Sequence, residues 1–251
     1  MHRLPNFQVR LVIFVAESIT VVIPACNEEQ NIRRIGGELI PVMRKIGMPY
    51  EVLVIDDGSK DNTADEVRRL QKKYKNIKLV QHGKNLGLGA GTRTGIKNAR
   101  GSLIIFLDAD FTFHPREIPK LLAKYRSGDY DCVIGSQFGK GGKTKMQAHR
   151  KFLSKSVNIM YRHLLGQDIT TMSSIFRLYR RDALKGISMK SHGFDICAEI
   201  LFDMIKKNRR VVEVPVTLTT RIYGESKISN TKEIKNHLKL LSKVAKWRII
   251  K

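Results

Sequence analysis

No run of 18 or more residues in this 251-residue chain is both apolar and free of charge, so no complete transmembrane helix is expected. The apolar run nearest the start, Leu11–Ala16, stops at Glu17 and has no small-residue cleavage site behind it, which argues against a secretory leader. Cysteine is scarce: Cys26, Cys132 and Cys197 are odd in number, far apart and unpatterned. They predict free thiols in a cytoplasmic setting, with neither a disulfide frame nor a zinc site. Aromatics at 7% and 19 glycines exclude collagen-like and low-complexity architecture, and a 42% hydrophobic fraction excludes wholesale disorder. Acids are few, 23 Asp and Glu against 46 Lys and Arg, a formal charge of +23. The imbalance is local: residues 1–139 carry 21 basic and 15 acidic side chains (+6), residues 140–251 carry 25 and 8 (+17). The second half therefore faces something anionic, whether nucleic acid, a phosphorylated substrate or a membrane surface.

Short apolar runs alternate with helical spacing through the first half. Ile19–Ile23, Val52–Ile55, Ile77–Val80 and Ser102–Leu107 read as strands, and residues 28–46, 62–74, 88–99 and 115–126 as helices. That alternation predicts an α/β fold with a mostly parallel central sheet flanked by helices. Further on, helices are expected over 148–165, 195–207 and from about 231, and strands over Ile175–Tyr179 and Val211–Val214. Gly139–Lys145 reads as a mobile Gly/Lys loop. With no internal repeat and no long linker, the expected organisation is an extension over 1–18, one catalytic domain over 19–230 and a basic amphipathic helix over 231–251.

In a parallel sheet, ligands bind where the strands end. Those ends carry Asn27-Glu28, Asp56-Asp57 and Asp108/Asp110, a gathering of acids in a basic protein. In LIIFLDAD (Leu103–Asp110), Asp108 and Asp110 are two residues apart on extended backbone and can point at one place. Two hard oxygen ligands there suit Mg²⁺ or Mn²⁺. Capping of the helix near Pro115 by Asp110 or Thr112 explains one acid, not both. In VLVIDDGSKDNT (Val52–Thr63) an EF-hand register fails, because Asn62 stands where Gly is needed and Arg68 where Glu is needed. Asp61 or Thr63 is left as a cap and Asp56 or Asp57 as an acceptor for a ribose or base. The glycine-rich Gly83–Gly95 precedes a helix, but is neither G-x-G-x-x-G nor a P-loop. Phosphate binding and tight loop packing both remain open for it.

Taken in order, PACNEEQNI (Pro24–Ile32), IDDGSKDNT (Ile55–Thr63), GKNLGLGAGTRTGIKNARG (Gly83–Gly101) and LDAD (Leu107–Asp110) resemble family 2 inverting glycosyltransferases of the GT-A fold. SSIFRLYRRDAL (Ser173–Leu184), FDICAEIL (Phe194–Leu201) and EVPVTLTTRIYGESKIS (Glu213–Ser229) are similar to the dolichol-phosphate mannose synthase branch. The resemblance implies transfer of a hexose, mannose from GDP-mannose first and a UDP-sugar second, onto dolichyl or another polyprenyl phosphate. It places Pro24, Cys26, Glu28, Ile55 and Asp57 at the nucleotide. Asp108, Ala109 and Asp110 fall at the donor diphosphate and its Mg²⁺ or Mn²⁺, with Thr112 as a further ligand. Arg221 and Lys227 meet the donor phosphates, Gln137 belongs to the donor-binding set, and Arg150 and Ser154 receive the acceptor phosphate. The pattern departs from the family at Thr112, where Gln is common, and at Gln137, where Arg is usual. It departs again at Ser174-Ile175-Phe176-Arg177, where Ser-Gly-Phe-Arg is usual and the preceding acid aligns with Thr171. Because a phosphate oxygen is already anionic, no strong general base is required, and no Ser-His-Asp or Cys-His set is present.

Residues 231–251 carry seven basic side chains against Glu233. Helical projection puts Lys235, Lys239, Lys243 and Lys246 on one face and Ile234, Leu238, Leu241, Val244, Ala245 and Ile249 on another, with Leu240 and Trp247 flanking. Such a stripe serves either core packing or an anionic membrane surface. The expected location is peripheral, on the cytoplasmic side of a membrane, or that of a piece of a longer membrane-anchored protein. Relatives of this branch often continue into membrane helices after such a segment. Nucleic-acid binding, suggested by charge alone, ranks below these readings because no nucleic-acid motif is present.

Overall fold

A computed structural model of the chain describes residues 17–145, 148–224 and 230–250. The proposed extension 1–18 falls, apart from Glu17 and Ser18, outside the described residues, as does Lys227. Strand β1 (Ile19–Ala25) is followed by the short helices α1 (Glu29–Ile32) and α2 (Ile40–Ile46), then β2 (Tyr50–Asp56), α3 (Thr63–Lys73), β3 (Ile77–Gln81), α4 (Leu88–Asn98) and β4 (Leu103–Phe106). Next come α5 (Ile118–Arg126), β5 (Cys132–Ser136), β6 (Lys143–Thr144), α6 (Ala148–Leu165), β7 (Arg177–Arg180), α7 (Ile196–Lys206), β8 (Val211–Pro215), β9 (Thr217–Leu218) and α8 (Asn230–Ile250). Seven strands form one sheet in the order β3-β2-β1-β4-β7-β5-β8, parallel except for β7, which runs antiparallel to β4 and β5.

Strand alternation sorts the core onto the two faces of this sheet. Val21, Ile23, Val52, Val54, Leu103 and Ile105 join one buried cluster with residues of α1, α2 and α5. Val22, Leu53, Ile55, Ile104 and Phe106 join the other, with residues of α6, α7 and α8. The small residues of α4 let that helix lie close on the sheet. A Cβ added at Gly95 would stand 2.4 Å from Val22 Cγ1.

Three expectations change. The helix expected over 28–46 is interrupted by a π-helical stretch, Ile35–Leu39, that contains Gly36 and Gly37. The expected mobile loop over Gly139–Lys145 is held instead: Gly142 N donates to Gly139 O at 2.8 Å, and β6 pairs in parallel with β9. Strand β5, the short run CVIGS between Asp131 and Gln137, adds to the strands expected from the apolar pattern.

Helix α8 resolves part of its own ambiguity. Leu240, Leu241 and Val244 are buried in the second cluster, and Trp247 packs edge-on against Phe202 at 5.6 Å between ring centroids. Leu238 and Ile249, expected on the same apolar face, are 56% and 85% exposed. No helix among the described residues is long and apolar enough to cross a membrane.

Tyr161 of α6 ties α8 down through its hydroxyl, 3.2 Å from His237 Nδ1 and 3.3 Å from His237 O. Burial pushes the His237 imidazole below its ordinary value, opposed in part by Asp195. Below about pH 6.5 the unfolded chain therefore holds more protons at this site than the folded one. The contribution of His237 to stability is present above that value and is lost as the pH falls through the folded pKa. Urea denaturation on either side of about pH 6.5 should show lower stability at the acid side and a flatter dependence in His237→Gln. An unchanged slope in that variant would remove His237 as the cause.

Candidate active site at the strand ends

The carboxyl ends of β1, β2 and β4 converge, and each loop that follows is fixed by its polar side chains. After β1, Asn27 takes a left-handed conformation (φ 51°), its N–H donates to Ser59 Oγ at 2.8 Å, and its Oδ1 accepts from Lys60 N at 2.7 Å. The next residue, Glu28, donates its N–H to Thr63 Oγ1 at 2.8 Å, which also binds that loop to the one after β2. Asp61 Oδ1 accepts from Thr63 N at 3.0 Å, but Asn62, not the expected Asp61 or Thr63, stands at the N-cap of α3, without a side-chain capping bond.

Asp56 and Asp57, read as acceptors for a ribose or base, are engaged within the protein. Asp56 accepts from Ser59 N at 3.0 Å and Gln81 Nε2 at 3.1 Å. Asp57 accepts from Leu86 N at 2.9 Å, Gly87 N at 2.8 Å and His82 Nδ1 at 2.7 Å. A carboxylate only accepts, so His82 Nδ1 donates to Asp57, and Nε2 lies 2.9 Å from Thr94 Oγ1. The glycine-rich segment is thereby explained by packing. Gly89 N donates to His192 O at 2.9 Å, and a Cβ at Gly89 would lie 2.0 Å from Ser191 O. Its backbone donors serve Asp57 and His192.

After β4 the chain turns sharply. Phe111 is buried with φ 53°, a conformation that costs a bulky residue roughly 1–3 kcal/mol and is kept only where neighbours enforce it. Thr112 N donates to Asp110 Oδ1 at 2.9 Å, and Thr112 O accepts from Thr219 N at 2.8 Å, so β9 and the β4 loop are stitched together. The capping alternative weighed for Asp110 or Thr112 is not what the structure shows: His114 caps the turn at Pro115, its Nδ1 accepting from Arg116 N at 3.1 Å. Asp110 is thus released from the helix end.

Arg221 closes the cluster. Its Nε and Nη2 each lie 2.9 Å from Asp110 Oδ2, and its Nη1 lies 3.2 Å from Glu28 Oε1. Asp108 stands beside them. Burial first, then repulsion from Asp110 and Glu28, pushes its carboxyl well above the usual carboxylate range, against the pull of Arg221. This is a point short of positive charge. Among the described residues no three Asp, Glu, His or Cys side chains gather to hold a metal by themselves. Two carboxylates with hard oxygens still suit a divalent cation that takes its remaining ligands from a diphosphate.

Of the other expected residues, Pro24 and Cys26 are half-buried at the end of β1, and Cys26 Sγ lies 3.1 Å from Asn85 Nδ2. Ala109 is buried between the two aspartates. Ile55, near the end of β2, is fully buried, with its side chain in the second core cluster. Gln137 is buried at the end of β5, and its Oε1 has no hydrogen-bond partner among the described residues. Ser154 is half-buried on α6, and the Arg150 side chain lies outside the described residues. Arg177 is fully buried and donates to Cys197 O at 2.6 Å and Met172 O at 2.5 Å, which makes it part of the core. A shallow groove lined by Tyr130, Gln167, Arg209 and Arg210 lies at the amino ends of β5 and β8, away from these acids. Sequence reasoning did not single out Asn31, Arg34, His82 and Thr219, which tie the acids and their loops together; Asn31 and Thr219 lie inside the quoted PACNEEQNI and EVPVTLTTRIYGESKIS stretches without a signal of their own.

The model of Glycosyl transferase family 2 matches residues 20–188. The dolichol-phosphate mannosyltransferase of Pyrococcus furiosus is 34% identical over 91% of this chain and 64% of its own length. The undecaprenyl-phosphate 4-deoxy-4-formamido-L-arabinose transferase of Pectobacterium atrosepticum is 31% identical over 87% of this chain and 64% of its own. The chain therefore spans just under two thirds of these relatives. Among solved structures, glucosyl-3-phosphoglycerate synthase from Mycobacterium tuberculosis, in complex with Mn²⁺, UDP and glucosyl-3-phosphoglycerate, superimposes with a TM-score of 0.68 at 17% identity, covering 92% of this chain and 80% of that one. The same synthase with Mg²⁺ and UDP gives 0.69, covering 92% and 79% at 17% identity. These structural likenesses bear on the fold, which is GT-A. The family match covers well over half the chain and the acids at the strand ends fall within it: the chain belongs to Glycosyl transferase family 2.

Proposed function

We propose that this chain is an inverting glycosyltransferase that moves a hexose, mannose from GDP-mannose, onto dolichyl or another polyprenyl phosphate. The observation that carries the reading is the Asp108/Asp110 pair at a strand end, with Arg221 bridging Asp110 to Glu28, in a family 2 chain similar to a dolichol-phosphate mannosyltransferase. Asp108 and Asp110, with Thr112 as the further candidate, would hold Mg²⁺ or Mn²⁺, which when bound supplies positive charge for the diphosphate leaving group. Arg221 pairs with both Asp110 and Glu28. On donor binding its forked guanidinium is placed to turn to the diphosphate oxygens, where negative charge grows as the sugar leaves. Lys227 is proposed beside it. Pro24, Cys26, Glu28, Ala109 and Gln137 would line the donor pocket, with Asp57 holding the loop that shapes it.

The acceptor phosphate is proposed at the amino-terminal half of α6, through Arg150 and Ser154. Its oxygen is anionic near neutral pH and attacks the anomeric carbon as the bond to the diphosphate breaks, so the chain needs to orient it and not to deprotonate it. We assign the catalytic domain to 19–230, and to α8 a resting place on an anionic leaflet, through Lys235, Lys239, Lys243 and Lys246, all exposed. The location proposed is therefore the cytoplasmic side of a membrane.

Thermal shift with GDP-mannose and UDP-glucose, each with and without Mn²⁺, tests the donor. A ligand at about 100 times its Kd adds about 2.7 kcal/mol of apparent stability. Stabilisation by GDP-mannose with Mn²⁺ is expected. Stabilisation by UDP-glucose alone would move the donor to the UDP-sugars, and no response to either would end the reading. Arg221→Ala is expected to weaken donor binding by at least about tenfold, the worth of a hydrogen bond to a charged group. Unchanged affinity would remove Arg221 from the site.

A further inference from the structure

Arg34 lies at the entrance to the π-helical stretch Ile35–Leu39, and its guanidinium touches both arms of the acid cluster without being part of it. Nη1 donates to the backbone carbonyl of Asp110 at 2.8 Å and to Asn31 Oδ1 at 3.2 Å. Asn31 is 1% exposed, and its Nδ2 in turn donates to Glu28 Oε2 at 2.6 Å. The Arg34 Cζ stands 5.1 Å from the centroid of the Phe111 ring, the residue held with φ 53°. The fork itself is anchored by Glu38, with Nε to Oε1 at 2.8 Å and Nη2 to Oε2 at 3.1 Å. Its side chain is only 11% exposed. Single π-turns inside α-helices recur at functional sites, and this one puts Arg34 and Glu38 on the wall of the acid cluster.

We propose that Arg34 is a positioning residue for the cation- and diphosphate-binding acids, setting Asp110 through its carbonyl and the left-handed Phe111, and Glu28 through Asn31. The inference rests on the reading of Asp108 and Asp110 as the cation-holding pair. One planar, permanently charged group with fixed donors can hold a backbone carbonyl, an amide and a carboxylate at once; a lysine offers three donors on a flexible stem without that fixed fork. Outer partners of a metal site commonly change metal affinity by about 10–100-fold when removed.

The test titrates GDP, and UDP in parallel, calorimetrically into the full chain over a series of Mn²⁺ concentrations. Arg34→Met is expected to raise the Mn²⁺ concentration for half-maximal nucleotide binding by about tenfold or more. Arg34→Lys is expected to recover part of that loss, and Glu38→Gln, which frees the fork, to shift it the same way by less. Arg44→Met is the control, since Arg44 lies over the Tyr74 ring at 5.8 Å and has no hydrogen bond to the acids among the described residues, and it should leave the half-saturation unchanged. A merely structural role for Arg34 would lower the unliganded melting temperature and leave the Mn²⁺ half-saturation at the wild-type value; that result overturns the proposal. Should Arg34→Met not fold, wild-type half-saturation in both Arg34→Lys and Glu38→Gln overturns it equally. Asp110→Asn separates the two levels. If it abolishes the Mn²⁺ dependence while Arg34→Met does not alter it, the acid pair stands and the inference about Arg34 falls. If Asp110→Asn retains wild-type Mn²⁺ dependence, the reading of the site fails and the inference falls with it.

Discussion

Asp110→Asn is expected to lower sugar transfer by at least about 100–1,000-fold, the scale on which single charge-stabilising groups act in a transition state. Folding should survive, for reasons visible around the carboxylate. Oδ1 accepts from Thr112 N, and an asparagine oxygen can keep that bond. The lost partner is Arg221, a quarter exposed and still paired with Glu28, so no cation is left stranded in the interior. Removing this charge also relieves Asp108, whose carboxyl is pushed upward by burial and then by Asp110. The loss and the relief oppose each other, and the net change in stability should stay within about 1–2 kcal/mol. Transfer assays with GDP-mannose and dolichyl phosphate, beside urea denaturation in metal-free buffer, check both halves. Full activity in the variant, or wild-type transfer in excess chelator, would sink the role given to the acid pair.

The second large effect lies in α8. Leu241→Ala should cost about 2–4 kcal/mol, because Leu241 is 5% exposed in the cluster that also buries Tyr161, Leu201, Met204 and Val244. Leu238→Ser should cost within about 0.5 kcal/mol, because that side chain is mostly in solvent. The two leucines then separate packing from membrane docking. Liposome co-sedimentation is expected to show binding to anionic vesicles that weakens with salt, with Leu238→Ser and with Lys239→Glu. Each Lys near such a surface is worth about 1 kcal/mol. If the wild-type chain ignores anionic vesicles at low salt, α8 is a packing element and the membrane surface is not its partner.

Much of this was legible from residue order. β-branched runs spaced by helical segments foretold β1, β2, β3 and β4 to within one or two residues at nearly every end; in β1 and β4, buried on both sheet faces, no polar alternation interrupts the run, while the edge strand β3 exposes Lys78 and Gln81. Asp108 and Asp110 stood out because two acids closely following a buried strand have no structural reason to be there. Strand β5, the antiparallel direction of β7 and the β6–β9 pairing were not legible: direction and partner are set by crossovers and distant backbone, which leave no period in the sequence. The α8 stripe shows the same limit, since a helical projection states which residues share a face but not how far the core reaches around it. Leu240 and Trp247, read as flanks, pack against the core, while Leu238 and Ile249, read as central, face out.

The sequence by itself determined the class of fold, the edge of the sheet that carries chemistry and the acids that mark it, because each rests on local period and residue type. Only the tertiary structure decided how those acids are held. Glu28 and Asp110 are 82 positions apart and Arg221 lies 111 beyond Asp110, yet one guanidinium spans both. Asp57, which looked free for a ligand, is drawn into the loop at Leu86 and Gly87. Arg34, which no motif distinguishes, reaches the carbonyl of Asp110 from 76 positions away. Hydrogen bonds between side chains and remote backbone depend on where folding brings the chain, and no pattern along the sequence records that distance.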